Sequence, residues 1–168
     1  MVHKFFYPML IIIIGVLCVI VFYLGFGGSR DETRNDFYHL RLSGESPHWE
    51  LNGYQLDLTS GILNSGNGKL RFKSSGNDYT TNYFAFEMNA VINKKEETLQ
   101  SKAVTGTEDF KNDVDTGAVE GSPPITKDGK SIEFKDIDKL YAVIYWEGKE
   151  DGKVHKEIID LYDRVKEN

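Results

Sequence analysis

The sequence predicts an all-β domain of antiparallel strands that follows one N-terminal membrane-spanning helix. Three observations predict it. Residues 5–26, FFYPMLIIIIGVLCVIVFYLGF, carry no charge, whereas the chain beyond Arg30 is polar, acidic and rich in Gly and Asn. Beyond that point apolar residues recur at every second position in short runs, the period of a half-buried strand. Clusters of Gly, Asn, Asp, Ser and Pro separate the runs, and no long helical period replaces them.

The span begins at Phe5 and ends at Phe26, after a short tail, 1–4, that holds Lys4. At about 1.5 Å per residue it makes roughly 33 Å of helix, enough to cross a hydrocarbon core. Tyr7 and Tyr23 bracket it as interfacial aromatics do. A cleaved signal would use Gly25 and Gly27 as its small pair, but the apolar run is long for a signal, so retention is expected. A lipoprotein signal would need a small residue just before its cysteine; Leu17 precedes Cys18, and Cys18 lies inside the run. Basic residues flank both ends, so orientation rests on layout. A very short tail before a large polar domain is the signal-anchor arrangement, with the N-terminus inside and the C-terminal domain outside. Cys18 is the only cysteine, so the outer domain has no disulfide to form.

Residues 27–36, GGSRDETRND, read as a polar tether that reaches roughly 30 Å when extended. The rest, 37–168, is the length of one domain with room for a core. The chain's net charge of −6 argues against nucleic acid and against lying flat on an anionic bilayer. No N-x-[ST] sequon occurs.

Residues 37–42 alternate with Tyr38, Leu40 and Leu42 on one face. Ser43 to His48 form a turn, and Trp49 returns to apolar packing. Residues 54–59 alternate cleanly, 60–68 read as a Gly- and Asn-rich connection, and 69–73 alternate again around Leu70 and Phe72. Gly76-Asn77-Asp78 reads as a turn. Residues 83–92 are the longest strand; Phe84, Phe86, Met88, Ala90 and Ile92 share one face, and Tyr83, Ala85, Glu87, Asn89 and Val91 make the other only partly wet. A charged turn, 93–97, precedes a strand over 98–104. Residues 105–130 lack a period, contain Pro123-Pro124 and read as a loop with at most one short element. Residues 140–146 and 154–162 are Tyr-, Val- and Ile-rich strands joined through Asp151-Gly152, a hairpin signal, although 157–166 also fits a helix. Trp49 and Trp146 read as core or core-rim residues. Seven or eight short strands with turn signals suggest an immunoglobulin-like β-sandwich, without the Cys…Trp…Cys pattern of antibody domains; the alternative is a small antiparallel barrel.

Gly44-Glu45-Ser46-x-x-Trp49, and Ile144-Tyr145-Trp146-x-Gly148-Lys149 followed by Glu157-Ile158-Ile159-x-Leu161, carry a resemblance. The chain resembles small membrane-anchored or lipoprotein-type proteins of Gram-positive bacteria that share a GES-x-x-W opening and a W-x-GK closing hairpin. That resemblance implies an immunoglobulin-like sandwich and carries no activity over to this chain. The chain departs from it by lacking a lipobox cysteine and by its longer final hairpin.

Catalytic signals are weak. Gly44-Glu45-Ser46-Pro47-His48 begins like a nucleophile elbow but ends in His, not Gly. Gly129-Lys130-Ser131 ends like a phosphate loop, but Pro124 stands where its first Gly belongs. The four histidines show no i, i+4 pair, though His39 and His48 flank one turn. The best metal candidate is calcium on an acidic loop with Asp109, Asp113, Asp115 and Glu120, whose spacing departs from that of an EF-hand. The expectation is therefore a membrane-tethered, non-enzymatic module that contacts an envelope protein or cell-wall component. The alternative is a small-ligand or calcium-binding module that uses 105–130.

Overall fold

Ten strands form two antiparallel sheets in the structure, a computed structural model that describes residues 37–73, 80–110, 113–149 and 151–164. The first sheet holds β1 (Tyr38–Glu45), β2 (Trp49–Leu58), β3 (Leu63–Gly66), β4 (Lys69–Phe72), β7 (Val114–Asp115) and β8 (Ala118–Gly121). The second holds β5 (Thr80–Ile92), β6 (Lys95–Asp109), β9 (Ile137–Glu147) and β10 (Val154–Asp163), in the order β10-β9-β5-β6. Among the described residues there is one 3-10 turn, Phe134–Asp136, and no helix long and apolar enough to cross a membrane. The span 5–26, the tether 27–36 and the turn at Gly76-Asn77-Asp78 lie outside the described residues.

The first sheet is creased. β2 pairs with β1 on one side; on the other its second half pairs with β3 and its first half with β4. β8 then pairs with β3, and β7 with β4. β3 with β4, and β7 with β8, therefore act as two long strands, each broken once. The breaks line up across the sheet at Gly53, Asn67 and Gly117, all with positive φ (66, 57 and 75°). The chain holds together across the crease through Asn67 N–H to the Gly117 carbonyl (2.8 Å) and Thr116 N–H to the Gly68 carbonyl (3.0 Å). Gly66 sits where β3 and β8 nearly touch: a Cβ there would lie 2.2 Å from the Gly117 oxygen.

The crease corrects two sequence expectations. Residues 60–68 contain a strand, and 105–130 hold the end of β6 together with β7 and β8. Both were obscure for one physical reason: these segments pair through their backbones. All four β8 residues are exposed, so no alternation marks the strand. The charged turn shrinks to Asn93-Lys94, both with positive φ (49 and 65°), the geometry of a two-residue hairpin. β6 then runs from Lys95 to Asp109, well beyond 98–104. Val154–Asp163 is a strand rather than a helix.

The alternation in β5 and β9 places the core. Phe84, Phe86, Met88, Ala90 and Ile92 are buried, as are Leu140, Ala142, Ile144 and Trp146, and they meet Trp49, Leu51, Leu56 and Leu70 of the first sheet. Full burial of each large apolar side chain contributes about 1.5–3 kcal/mol. Trp49 is wholly buried and contacts Phe72, Phe110 and Trp146 edge-on at 4.9, 5.0 and 5.6 Å. Its Nε1 has no hydrogen-bond partner among the described residues, and these surroundings offer it mainly π faces. One polar network crosses the core beneath the crease. The Tyr54 hydroxyl donates to Gln100 Oε1 (2.6 Å) and contacts Ser65 Oγ (2.9 Å), while Gln100 Nε2 donates to the Thr116 carbonyl (2.8 Å). Burial pushes the Tyr54 phenol up, only partly offset by Ser65, so it stays a neutral donor.

Candidate functional site

Two concave surfaces and one polar cluster are the candidate sites among the described residues. The larger surface is the outward face of the second sheet. Alternation that sends Phe86 and Ile144 inward sends Glu87 and Val143 outward. Strand register then stacks the outward residues in rows. Lys156, Tyr145, Ala85 and Ala103 form one; Ile158, Val143, Glu87 and Ser101 the next; Asp160, Tyr141, Asn89 and Thr98 a third. The result is an open trough of about 620 Å³. Val143 lines the trough yet is only 4% exposed, so it forms an apolar floor beneath larger neighbours.

Polar groups line this floor. The Tyr141 hydroxyl donates to Glu96 (3.0 Å), and Lys139 pairs with Asp160 (2.7 Å). Burial raises the Tyr141 phenol, and the Glu96 carboxylate that accepts its hydrogen bond raises it further. Lys139 and Lys156 stand over the rings of Tyr141 and Tyr145, each 5.4 Å from the centroid. Thr98 donates to Asn89 Oδ1 at 2.8 Å. Among the described residues, the Glu87 carboxylate, the Asn89 Nδ2 and the Tyr145 hydroxyl make no hydrogen bond or ion pair.

The smaller surface, about 280 Å³, lies over the crease between Gln55, Asn64 and Glu120. Several of its polar groups are committed: Asn67 donates to Gln55 (3.1 Å), and Asp57 pairs with His39 (2.5 Å).

The cluster gathers at the end of the molecule opposite Phe37. Glu157 of β10 accepts from Ser46 Oγ (2.6 Å), from the His48 N–H (3.0 Å) and from His48 Nδ1 (2.5 Å). Burial pushes the Glu157 carboxyl up, but these donors together hold it below the usual range. His155 stacks on Trp146 at 5.3 Å and bonds Asp151 at 3.2 Å. The order of contacts decides the chemistry. The carboxylate sits between Ser46 and His48, whereas a nucleophilic relay needs the imidazole between hydroxyl and acid. What the cluster does is join the β1–β2 turn of one sheet to β10 of the other.

The other sequence candidates are dispersed. Asp115 bonds Lys69 (2.7 Å) and the Gly117 N–H (2.8 Å), which hold its carboxyl below the usual range, the Lys69 bond most of all. Asp113 is exposed just ahead of β7, Glu120 is exposed opposite Asn64, and Asp109 ends β6 opposite Thr80. They follow strands instead of lining one loop, and among the described residues no three Asp, Glu, His or Cys side chains gather to hold a metal. His39 and His48 serve separate carboxylates, Asp57 and Glu157. Gly129-Lys130-Ser131 belongs to a small hairpin closed by the Ile125–Ser131 bridge, not to a helix start. The trough itself was missed as a site. Its signal was present in the half-wet face of 83–92 and in Tyr141, Val143 and Tyr145.

Compared with family models, curated proteins and solved structures, the chain matches none.

Proposed function

We propose that the chain is a non-enzymatic, membrane-tethered β-sandwich, immunoglobulin-like in its packing of two antiparallel sheets, that displays the outward face of its second sheet to an envelope protein or cell-wall component. The observation that carries this reading is the trough: an apolar floor, two tyrosine rings and three unpaired polar groups on one exposed sheet face. A face that served only solubility would be charged and patch-free. The uncharged segment 5–26 supports the tether, with the domain outside. The sequence motifs support kinship with anchored proteins of Gram-positive bacteria.

A photo-cross-linking residue at Ile158, which is 49% exposed at the trough, tests the display. In intact cells it should capture one discrete partner, and the same residue at Glu120 should not. Capture from Glu120 alone, or from neither site, would overturn the reading. A C-terminal tag should be degraded by protease added to wall-stripped cells; protection until the membrane is opened would reverse the orientation.

A further inference from the structure

We propose that the trough binds a sugar chain bearing acetamido groups, a ligand class that rests on the display reading above and narrows it. Three features of the surface select this chemistry. First, Glu87 and Asn89 are next neighbours on one face of β5, roughly 7 Å apart along the strand. One offers an acceptor, the other an amide donor, and neither is used within the domain. A trans amide projects its N–H and C=O in opposite directions, so its two partners stand roughly 8 Å apart. An acetamido group carries that amide and ends in a methyl, which the adjoining Val143 floor can cover.

Second, Tyr141 and Tyr145 lie on the same strand about 13 Å apart, on either side of Val143. The apolar face of a pyranose ring stacks on such rings. Lys156 covers Tyr145 only through a cation–π contact, a weak one at an exposed site, so it can swing aside.

Third, the charges nearly balance. Glu87, Glu96 and the Asp160 partner of Lys139 face Lys139 and Lys156, three carboxylates to two ammonium groups, which leaves no positive field to draw an anionic ligand. An extended peptide is disfavoured by position. Peptides add to sheet edges, where main-chain groups are free, whereas the trough lies over β5 and β9, whose main chains are paired on both sides.

The test uses the full chain in detergent micelles and isothermal titration calorimetry. A hexamer of β-linked N-acetylglucosamine should bind, and a glucose hexamer of the same linkage should bind about tenfold more weakly or not at all. Tyr145→Ala and Glu87→Met should each weaken the N-acetylated hexamer about tenfold or more. Both side chains face outward, so folding should persist, as circular dichroism would verify. Glu120→Met, on the other sheet, should leave binding unchanged. Equal binding of the two hexamers would overturn the acetamido assignment, and binding indifferent to Tyr145→Ala and Glu87→Met would overturn the trough as its site. If neither hexamer binds while Ile158 captures a protein in cells, the sugar proposal fails and the display reading survives. If neither hexamer binds and Ile158 captures nothing, both fail.

Discussion

Trp146 shows how one residue couples core and surface. Its ring contacts Trp49 at 5.6 Å on one side and stacks on His155 on the other, and it is only 4% exposed. Trp146→Ala should therefore cost about 3–5 kcal/mol, as large-to-small core changes do. Equilibrium denaturation of the unit from Asn35 onward measures it; a loss below about 1 kcal/mol would place the ring outside the core. Glu157 makes a different kind of contribution. Its carboxyl is depressed in the folded chain, so the stability it supplies is complete above the ordinary glutamate value of 4.5 and is lost as pH falls through the lower folded value. Glu157→Gln should lower stability at neutral pH and flatten the acid limb of the stability profile. An unchanged acid limb would mean that the Ser46 and His48 bonds contribute nothing to folding.

Strands reveal what the sequence expressed and what it hid. β2, β5 and β9 were legible because each buries one face, and burial writes alternation into the chain. β3, β7 and β8 were hidden because the crease is held by backbone pairing and by glycines that favour turns in any local reading. The Asp151-Gly152 signal gave the hairpin correctly, with strands that end at Glu147 and resume at Val154. The loop runs over 148–153, closed by Gly148 N–H to the Lys153 carbonyl (2.7 Å) and Gly152 N–H to the Gly148 carbonyl (2.9 Å). These two settings predict different costs for the same change. Gly66→Ala drives a methyl into the Gly117 carbonyl and should cost several times as much as Gly152→Ala, where the space is open and only the φ of +61° is strained, at about 1 kcal/mol. Chemical denaturation of both variants ranks them. Equal costs would mean that the crease yields easily.

At the scale of the molecule, the two sheets differ in role. The first is creased, and the polar groups on its outward hollow are partly bonded to one another. The second is continuous from β10 to β6 and carries unpaired polar groups over an apolar floor. Gly44 of β1 lies close against β10 where the edges of the two sheets meet: a Cβ there would lie 2.8 Å from the Ile159 side chain and 3.0 Å from the Asp160 carbonyl oxygen. That corner, the Glu157 cluster and the Tyr54–Gln100 bond tie the sheets together, which keeps the strands beneath the trough in fixed register. The site was only half legible in the sequence. Alternation showed that one face of β5 and β9 was incompletely polar, but only register brings Glu87 and Asn89 beside Val143 and Tyr141. The acidic residues that stood out in the sequence, Asp113, Asp115 and Glu120, drew attention by composition, but pairing sets Asp115 opposite Lys69 and Glu120 opposite Asn64, while Asp113 lies ahead of β7.

Co-sedimentation with washed cell envelopes tests the displayed trough most directly. The domain from Asn35 onward, freed of its membrane segment, should still sediment with the envelopes, and the Tyr145→Ala, Glu87→Met double variant should stay in solution while its circular dichroism remains that of a folded β domain. If the double variant sediments as fully as the parent, the outward face of the second sheet is not the surface by which this protein is held.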